Sequence, residues 1–418
     1  MHSQKVISEL DHKGQSNMLT KAAEDYLAAL ADELSISEAR YDQASRSYAS
    51  LGAWLHRPES TVLAYDPQVY VQGSFRLGTA IRPMNDEEEY DVDSICVLGN
   101  LGTGDLTQKQ LKTLVGAEIK AYHRSQNMVK PVREGHRCWV LSYADGAQFH
   151  MDIVPAVPNA ARQRLMLEAS GFNLGWSDTA LVITDNRSPV YEHISDDWQR
   201  SNPKGYAEWF QLRMGTIFEQ RRRALAESIK ASVEDIPVYR IRTPLQSAIM
   251  ILKRHRDGMF VDRYDERPIS IIITTLAAHA YNGEEKIADA LYSVLSRMDQ
   301  FIERDGHRCI IRNPSDPLEN FADKWPQHPE RERAFFEWLA QARHDFGELG
   351  RQVERRRFVA SVQPRMGAVA DRAAARLGPP PGSMLRPAAA AGVAATPASS
   401  ALTFPNTRRE PTSPKGFA

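Results

Sequence analysis

Two aspartates spaced two residues apart are the first feature of the sequence that could do chemistry. Asp91 and Asp93 flank a valine inside the run 90–98, whose residues are typical of a β-strand. Two-residue spacing on a strand puts both carboxylates on one face. Two like charges about 4 Å apart repel by roughly 4 kcal/mol at an effective dielectric near 20. Divalent cations would relieve this repulsion, and oxygen ligands favour Mg²⁺ or Mn²⁺.

A third carboxylate, Asp152, lies in a second predicted strand. Apolar residues at positions 149, 151 and 153 alternate with His150 and Asp152, so we expect Asp152 on the face opposite the apolar side chains. The preceding segment 137–143 is predicted to pair with this strand in a hairpin, through the turn dipeptide Asp145-Gly146.

Together the three carboxylates are the residues that two-metal phosphoryl transfer needs. One cation would hold a triphosphate and orient the leaving pyrophosphate, and the other would lower the pKa of an attacking hydroxyl. Asp91 and Asp93 are expected to bridge both cations, and Asp152 to bind the one on the hydroxyl side. The sequence therefore predicts two Mg²⁺ ions as cofactors, with Mn²⁺ as an alternative.

A candidate phosphate loop precedes these carboxylates. Gly73-Ser74 follows a predicted strand at 69–71 and precedes a predicted short helix. A glycine there lets backbone N–H groups approach a phosphate closely, and the serine hydroxyl adds a donor. Alone, the dipeptide is typical of an ordinary turn; beside the three carboxylates it becomes a candidate nucleotide-binding loop.

The elements that must position these groups change along the chain. Apolar residues at 3- and 4-residue steps, from Ala23 to Leu34, predict a first helix that begins at about Leu19, and Ser35 with Glu38 predicts a capping box that opens a second helix. Strand patterns follow, and helical periodicity returns after about residue 205. The predicted fold class is α+β, with a mixed sheet and flanking helices, followed by a helical C-terminal lobe.

We predict three parts of the chain from these patterns. Residues 1–204 form the catalytic lobe with its N-terminal helices, and residues 205–362 form the helical lobe. Residues 363–418 form a mostly disordered tail, because this proline- and alanine-rich stretch has no periodic apolar face from about Gly378 onward.

Composition argues against several function classes. The 418 residues carry a formal net charge of −1, which gives no strong evidence for nucleic-acid binding. Cys96, Cys138 and Cys309 form no CxxC pair, which argues against a disulfide framework or structural zinc and favours a reducing cytoplasm. The most apolar stretch, 269–281, is too short to span a bilayer, so we expect a cytoplasmic protein without membrane contact.

The order of these motifs resembles a known superfamily, the polymerase-β-like nucleotidyltransferases: strand, Gly-Ser, helix, then Asp-x-Asp, then a third Asp on a later strand. Within it, the chain resembles the bacterial CD-NTases, relatives of cyclic GMP–AMP synthase and the oligoadenylate synthases. That likeness is carried by GSFRLGTAIRP (73–83), EYDVDSICVL (89–98) and FHMDIVP (149–155). It continues through 245–257, 270–281 and 313–325, and so covers roughly residues 20–360.

The resemblance implies a function. It implies template-independent synthesis of a cyclic di- or trinucleotide second messenger from NTPs, with ATP as a donor, in anti-phage signalling. By position it implies that Gly73 and Ser74 hold the triphosphate and that Lys253 and Ser270 also bind the nucleotide. Lys253 and Arg256 lie one helical turn apart, at an edge where both could meet phosphate.

Further partners and alternatives follow from the same resemblance. In some relatives a ubiquitin-like machinery joins a small-residue C-terminus to target proteins, so the expected partners are a regulatory protein or such conjugation machinery, the latter acting on Ala418. Two alternative functions stay open: a linear oligonucleotide or RNA-end nucleotidyltransferase, and a nucleotide-binding module without catalysis.

Overall fold

A computed structural model of the chain describes residues 21–84, 89–143, 149–230, 232–233, 241–347 and 355–378. Its strands are β1 (Pro67–Val71), β2 (Tyr90–Leu98), β3 (Arg133–Glu134), β4 (Trp139–Tyr143), β5 (Phe149–Pro158), β6 (Leu181–Ile183), β7 (Gln199–Ser201), β8 (Glu303–Asp305), β9 (Arg308–Ile310), β10 (Arg312–Asn313) and β11 (Asp316–Asn320). Its helices are α1 (Lys21–Leu34), α2 (Glu38–Leu55), α3 (Gly73–Leu77), α4 (Gln108–Ser125), α5 (Ala160–Ala169), α6 (Pro203–Ile229), α7 (Pro244–Met259), α8 (Ser270–Ala280), α9 (Ile287–Arg297), α10 (Pro329–Gly347), α11 (Arg355–Met366) and α12 (Ala368–Arg376).

The first seven strands form one mixed sheet. The strand order is β1-β2-β5-β4-β3. In addition, β6 pairs with β5, and β7 pairs with β6. β2 and β5 are parallel, while the other pairs are antiparallel. The predicted α+β class and the predicted hairpin of β4 with β5 are confirmed; the turn dipeptide Asp145-Gly146 lies outside the described residues.

Apolar and polar side chains alternate along β5, so that one face of the strand packs into a core and the other carries polar groups. Phe149, Met151 and Ile153 are buried in a core that also contains Leu51 and Leu55 of α2 and apolar residues of α4. His150 and Asp152 are only partly buried, as the alternating pattern predicted. Burying each large aliphatic or aromatic side chain contributes about 1.5–3 kcal/mol, so this packing fixes which face of β5 carries its polar side chains.

A second core is built from helices, and it includes the N-terminal helix. The α1 face predicted from its periodicity is buried there, and Tyr26 Oη donates a hydrogen bond to the Ala370 carbonyl at 3.3 Å. Glu33 of α1 also pairs with Arg372 and Arg376 of α12. The predicted boundary at residues 204 and 205 stays a prediction, but α1 packs with the C-terminal helices rather than with the sheet.

Two local predictions were wrong. Residues 363–376 belong to α11 and α12 rather than to a tail, because Val369, Ala370 and Ala373 form a buried stripe at helical spacing. The tail beyond Gly378 lies outside the described residues. Ser35 does not cap α2: its hydroxyl donates to the Ala31 carbonyl at 2.6 Å, at the end of α1.

Within the described ranges, no helix combines the length and the apolar character that crossing a bilayer requires.

Candidate active site

The three predicted carboxylates meet on two adjacent parallel strands. Asp93 of β2 lies directly opposite Asp152 of β5, and Asp91 lies opposite His150. Neighbouring strands are about 4.8 Å apart, and residues two apart on a strand share a face. Residues about sixty positions apart in sequence are therefore brought together at one edge of the site.

The carboxylates perturb one another. Burial, with the charges of Asp91 and Asp152, raises the pKa of Asp93 to about 7. Burial and the charge of Asp152 also raise the pKa of Asp91. Asp152 Oδ1 is buried and has no hydrogen-bond partner among the described residues. Because nearly all buried polar atoms in native proteins are paired, this oxygen and its crowded neighbours suit a bound cation.

A histidine that the sequence analysis did not select completes this cluster. Asp91, His150 and Asp152 each offer a ligand atom within 4.8 Å of the others. His150 Nε2 is 3.5 Å from Asp91 Oδ1, and its Nδ1 is 3.4 Å from Glu89 Oε2. The signal was present in the sequence, since His150 lies two residues from Asp152 on the same face of the predicted strand.

Asp93 is not a member of that closest group, because its carboxylate lies against the Gly73 turn. Gly73 has φ +60°, and a Cβ added there would overlap Asp93 Oδ2. The Gln72 N–H donates to the Asp93 carbonyl at 2.8 Å, which ties the turn to β2. Glycine is therefore required at position 73 both for its backbone conformation and for the close approach of Asp93.

Lys253 reaches the same place from α7. Its Nζ donates to the Thr79 carbonyl at 2.9 Å, just after α3. Burial, assisted by the positive charge of Arg256, lowers the pKa of Lys253 to about 8. Gln246 of the same helix donates to the Leu77 carbonyl at 2.9 Å, so α7 is hydrogen-bonded to the end of α3.

Ser270 is the first residue of α8, and it contacts Arg256. Arg256 Nη1 donates to Ser270 Oγ at 2.9 Å and to the Pro268 carbonyl at 2.9 Å. The same guanidinium pairs with Asp257 at 2.7 Å. Arg256, which the sequence suggested as a phosphate contact, thus directs its hydrogen bonds to the protein and positions Ser270.

One cavity of about 960 Å³ collects most of these groups. The predicted site residues that line it are Gly73, Ser74, Asp91, Asp93, Lys253 and Ser270, joined by His150 and Glu89. Asp152 does not line this cavity. It lies beside Asp93 and His150, which do line it. The volume is at the upper end of the range typical of small-molecule sites.

Comparison with known proteins identifies related chains. Residues 22–180 match the family described as Second Messenger Oligonucleotide or Dinucleotide Synthetase domain. A c-di-GMP synthase of Roseivirga ehrenbergii is 26% identical over 328 residues, 78% of this chain and 79% of that protein. The cyclic dinucleotide synthase CdnG of Bradyrhizobium diazoefficiens is 25% identical over 308 residues, 72% of this chain and 70% of that protein.

Solved structures share the fold. The structure of Bradyrhizobium diazoefficiens CdnG in complex with GTP aligns with a TM-score of 0.65 at 20% identity, covering 85% of this chain and 99% of that chain. The complex of CdnC with HORMA-deltaN from E. coli MS115-1 aligns with a TM-score of 0.54 at 14% identity, covering 82% and 96%. The chain therefore carries a Second Messenger Oligonucleotide or Dinucleotide Synthetase domain over residues 22–180, a nucleotidyltransferase domain, and over most of its length it is similar to bacterial CD-NTases.

Proposed function

We propose that this enzyme joins nucleoside triphosphates into a cyclic di- or trinucleotide without a template. The observation that carries the proposal is the meeting of Asp91, Asp93 and Asp152 on adjacent strands beside the Gly73 turn, where Asp91 and Asp93 line a cavity large enough for a nucleotide. The names of the two curated relatives, both cyclic dinucleotide synthases, support this class of product.

Two divalent cations, Mg²⁺ or Mn²⁺, are the proposed cofactors. The residues fit such ions, since Asp152 Oδ1 lacks a partner among the described residues and the pKa values of Asp91 and Asp93 are raised. The three aspartates would hold the ions, with His150 beside them as a further ligand or as a partner that orients Asp91. When bound, the cations would neutralise phosphate charge and acidify the attacking hydroxyl.

The remaining site residues would bind and orient the triphosphate. The backbone N–H groups of the Gly73-Ser74 turn, at the start of α3, are proposed as phosphate donors. Lys253 would add a positive charge, exchanging its bond to the Thr79 carbonyl for a phosphate oxygen. Ser270, held by Arg256, would add a hydroxyl donor.

The identity of the bases and the biological role are finer proposals. A guanine nucleotide is proposed as one substrate, because the relatives include a c-di-GMP synthase and a CdnG structure with GTP. ATP stays the proposed donor for a mixed product. A role in anti-phage signalling is also proposed.

A regulatory partner is proposed as well. The CdnC structure contains a HORMA protein, which makes a partner of this kind reasonable for this chain. Conjugation at Ala418 stays a separate proposal, and that residue lies outside the described part of the chain. Deleting the last three residues would test it, because an unchanged pattern of conjugates in cells with the conjugation machinery would contradict the idea.

Incubation of the purified chain with the four labelled NTPs and Mg²⁺ tests the proposed reaction. A phosphatase-resistant product whose mass equals two or three nucleoside monophosphates joined in a ring is expected. A phosphatase-sensitive ladder would show linear synthesis instead, and a protein that binds NTPs without turnover would be a binding module. Either of those results would contradict cyclic synthesis.

A further inference from the structure

A second, smaller cavity begins on the other side of the Gly73 turn. Its volume is about 270 Å³, and its lining includes Gly73 and Asp93 at the catalytic side. Asn313, Glu319 and Phe321, from the β10–β11 region, also line it. A polar side chain, a carboxylate and an aromatic ring thus border the same space as the catalytic aspartate.

The Glu319 carboxylate has hydrogen-bonding capacity left over. Its Oε2 accepts from Asn313 Nδ2 at 2.7 Å, and among the described residues this is the one hydrogen bond that reaches it. A carboxylate can accept about four such bonds. Burial raises the pKa of Glu319, and the hydrogen bond from Asn313 and the charge of Arg200 offset only part of that effect.

Asp316, three residues earlier, is a useful contrast. Its Oδ1 accepts from Gln163 Nε2 at 2.7 Å, and its Oδ2 accepts from Arg200 Nε at 2.8 Å. Arg200, whose charge also acts on Glu319, is therefore paired with Asp316. Asp316 has both carboxylate oxygens paired within the protein, whereas Glu319 is partly exposed and has acceptor capacity that a ligand could use.

Glu319 also borders a third cavity. This cavity has a volume of about 300 Å³ and is lined by the cationic side chains of Arg137, Arg267, Lys324 and Arg331. Glu319, Phe321 and Ile271 line both smaller cavities. Glu319 thus borders both smaller cavities, and of these two the one that Gly73 and Asp93 also line places Glu319 within one space of a candidate catalytic aspartate.

We propose that Glu319 selects guanine in the cavity beside Gly73. Its carboxylate accepts hydrogen bonds from the N1–H and the exocyclic N2–H₂ of the base, Phe321 supplies an aromatic contact, and the phosphates extend toward Gly73. This inference rests on the proposed function, and it names the base that the same site takes.

The chemistry of the two purines explains the selection. Guanine presents two adjacent N–H donors to a carboxylate, while adenine presents the N1 acceptor at the corresponding position. Binding adenine would leave a desolvated carboxylate facing a lone pair, and unpaired buried polar groups are costly. A protonated Glu319 would have the opposite preference, since its O–H could donate to adenine N1, so the base preference itself reports the state of the carboxyl.

Equilibrium binding of two non-hydrolysable analogues, GMPCPP and AMPCPP, in Mg²⁺ tests this inference without requiring turnover. For the wild-type chain we expect GMPCPP to bind about 10- to 100-fold more tightly than AMPCPP, as a bidentate base contact provides. Glu319→Gln keeps the shape but replaces one acceptor with a donor, so the ratio should fall to about threefold or less. The fall should come from weaker GMPCPP binding.

Glu337→Gln is the matched control. Glu337 pairs with Arg263, has a side chain that is 51% exposed and lines neither smaller cavity, so this variant should keep the wild-type ratio. Glu319→Asp is a second test that keeps the charge but withdraws it from the base, and it should also lower the ratio. It is the variant to use if Glu319→Gln does not fold.

The results separate this inference from the proposed function. An unchanged ratio in folded Glu319 variants, or a wild-type preference for AMPCPP, would overturn the guanine assignment even if cyclic product forms. A ratio that depends on Glu319 in a protein that forms no cyclic product would support the assignment and overturn the proposed reaction.

Discussion

Two carboxylates buried among charged neighbours, Asp345 and Asp93, experience opposite surroundings. Asp345 of α10 accepts from His255 Nε2 at 3.0 Å and from Gln341 Nε2 at 2.7 Å. Burial alone would raise its pKa, but these hydrogen bonds and the nearby charges lower it. At Asp93, burial and two neighbouring carboxylates raise the pKa to about 7, and Lys253 offsets only part of that effect.

The difference distinguishes a carboxylate that the protein itself stabilises from one that we propose a bound cation stabilises. Within the described residues, Asp345 obtains its partners from the protein, so it holds α10 against α7 through His255. The Asp93 group is surrounded by like charges and has an orphaned oxygen on Asp152. Strongly perturbed carboxylates in a cleft are typical of sites that a ligand completes.

Asp93→Asn should have the largest effect on catalysis. Replacing one metal-binding oxygen with an amide nitrogen should reduce NTP turnover roughly a thousandfold or more, with little effect on folding. Product formation measured by mass spectrometry checks this. Asp178→Asn is the control, since Asp178 is an exposed carboxylate paired with Arg164, and it should keep full activity. Full activity in Asp93→Asn would contradict the account.

Gly73→Ala should reduce turnover by about a hundredfold, because displacing a catalytic carboxylate by about 1 Å has effects of that size. The added Cβ would overlap Asp93 Oδ2 in a backbone conformation with positive φ. Gly306→Ala is the matched control: Gly306 also has positive φ, at +56°, but has open space around it. If both variants lose the same activity, backbone strain alone would explain the loss.

Asp345→Asn should affect stability rather than chemistry. Weakening the buried bond to His255 should lower the free energy of unfolding by about 2 kcal/mol. Urea denaturation measures this loss, and turnover per folded molecule should stay at the wild-type value. A variant that is as stable as wild type but inactive would reverse the assignment of the two carboxylates.

The smallest effect concerns pH in the absence of metal. Between the ordinary Asp pKa of 3.8 and the raised value near 7, unfolded Asp93 has lost its proton while the folded protein still holds it. The unfolded state therefore binds fewer protons, and stability falls as pH rises through this window. In EDTA, the Tm of wild type should fall from pH 5 to pH 8 by a few degrees more than that of Asp93→Asn.

Adding Mg²⁺ at pH 8 completes the same measurement. It should raise the Tm of wild type and leave Asp93→Asn almost unchanged, because a ligand stabilises only the state that binds it. If the Tm of wild type and of Asp93→Asn changed equally with pH, and rose equally on adding Mg²⁺, then Asp93 would not be the carboxylate whose ionisation destabilises the metal-free protein.

The positions of the three aspartates could be predicted from the sequence better than those of the residues around them. Strand alternation placed Asp91, Asp93 and Asp152 on the correct faces, because a two-residue period is a local property. The strand pattern put His150 on the same face as Asp152, but its contact with Asp91 depends on how β2 and β5 align, which no local pattern predicts. Glu319 was missed for the same reason, since both smaller cavities form only when distant segments meet.

The packing of the helical core was also only partly predictable from the sequence. Periodicity gave the buried face of α1, but not the helices it packs against. The α12 stripe was overlooked because the segment is short, alanine-rich and follows Pro364, so composition suggested a tail. Its buried alanines and the ion pairs with Glu33 stabilise it through tertiary contacts rather than through propensity.

Counting bound Mn²⁺ by electron paramagnetic resonance tests most directly whether the aspartate cluster is a cation site. At saturating GMPCPP, we predict two Mn²⁺ ions per wild-type chain, and at least one fewer, or binding about tenfold weaker, in Asp93→Asn and Asp152→Asn. Equal Mn²⁺ stoichiometry and affinity in the wild type and in both variants would contradict the account.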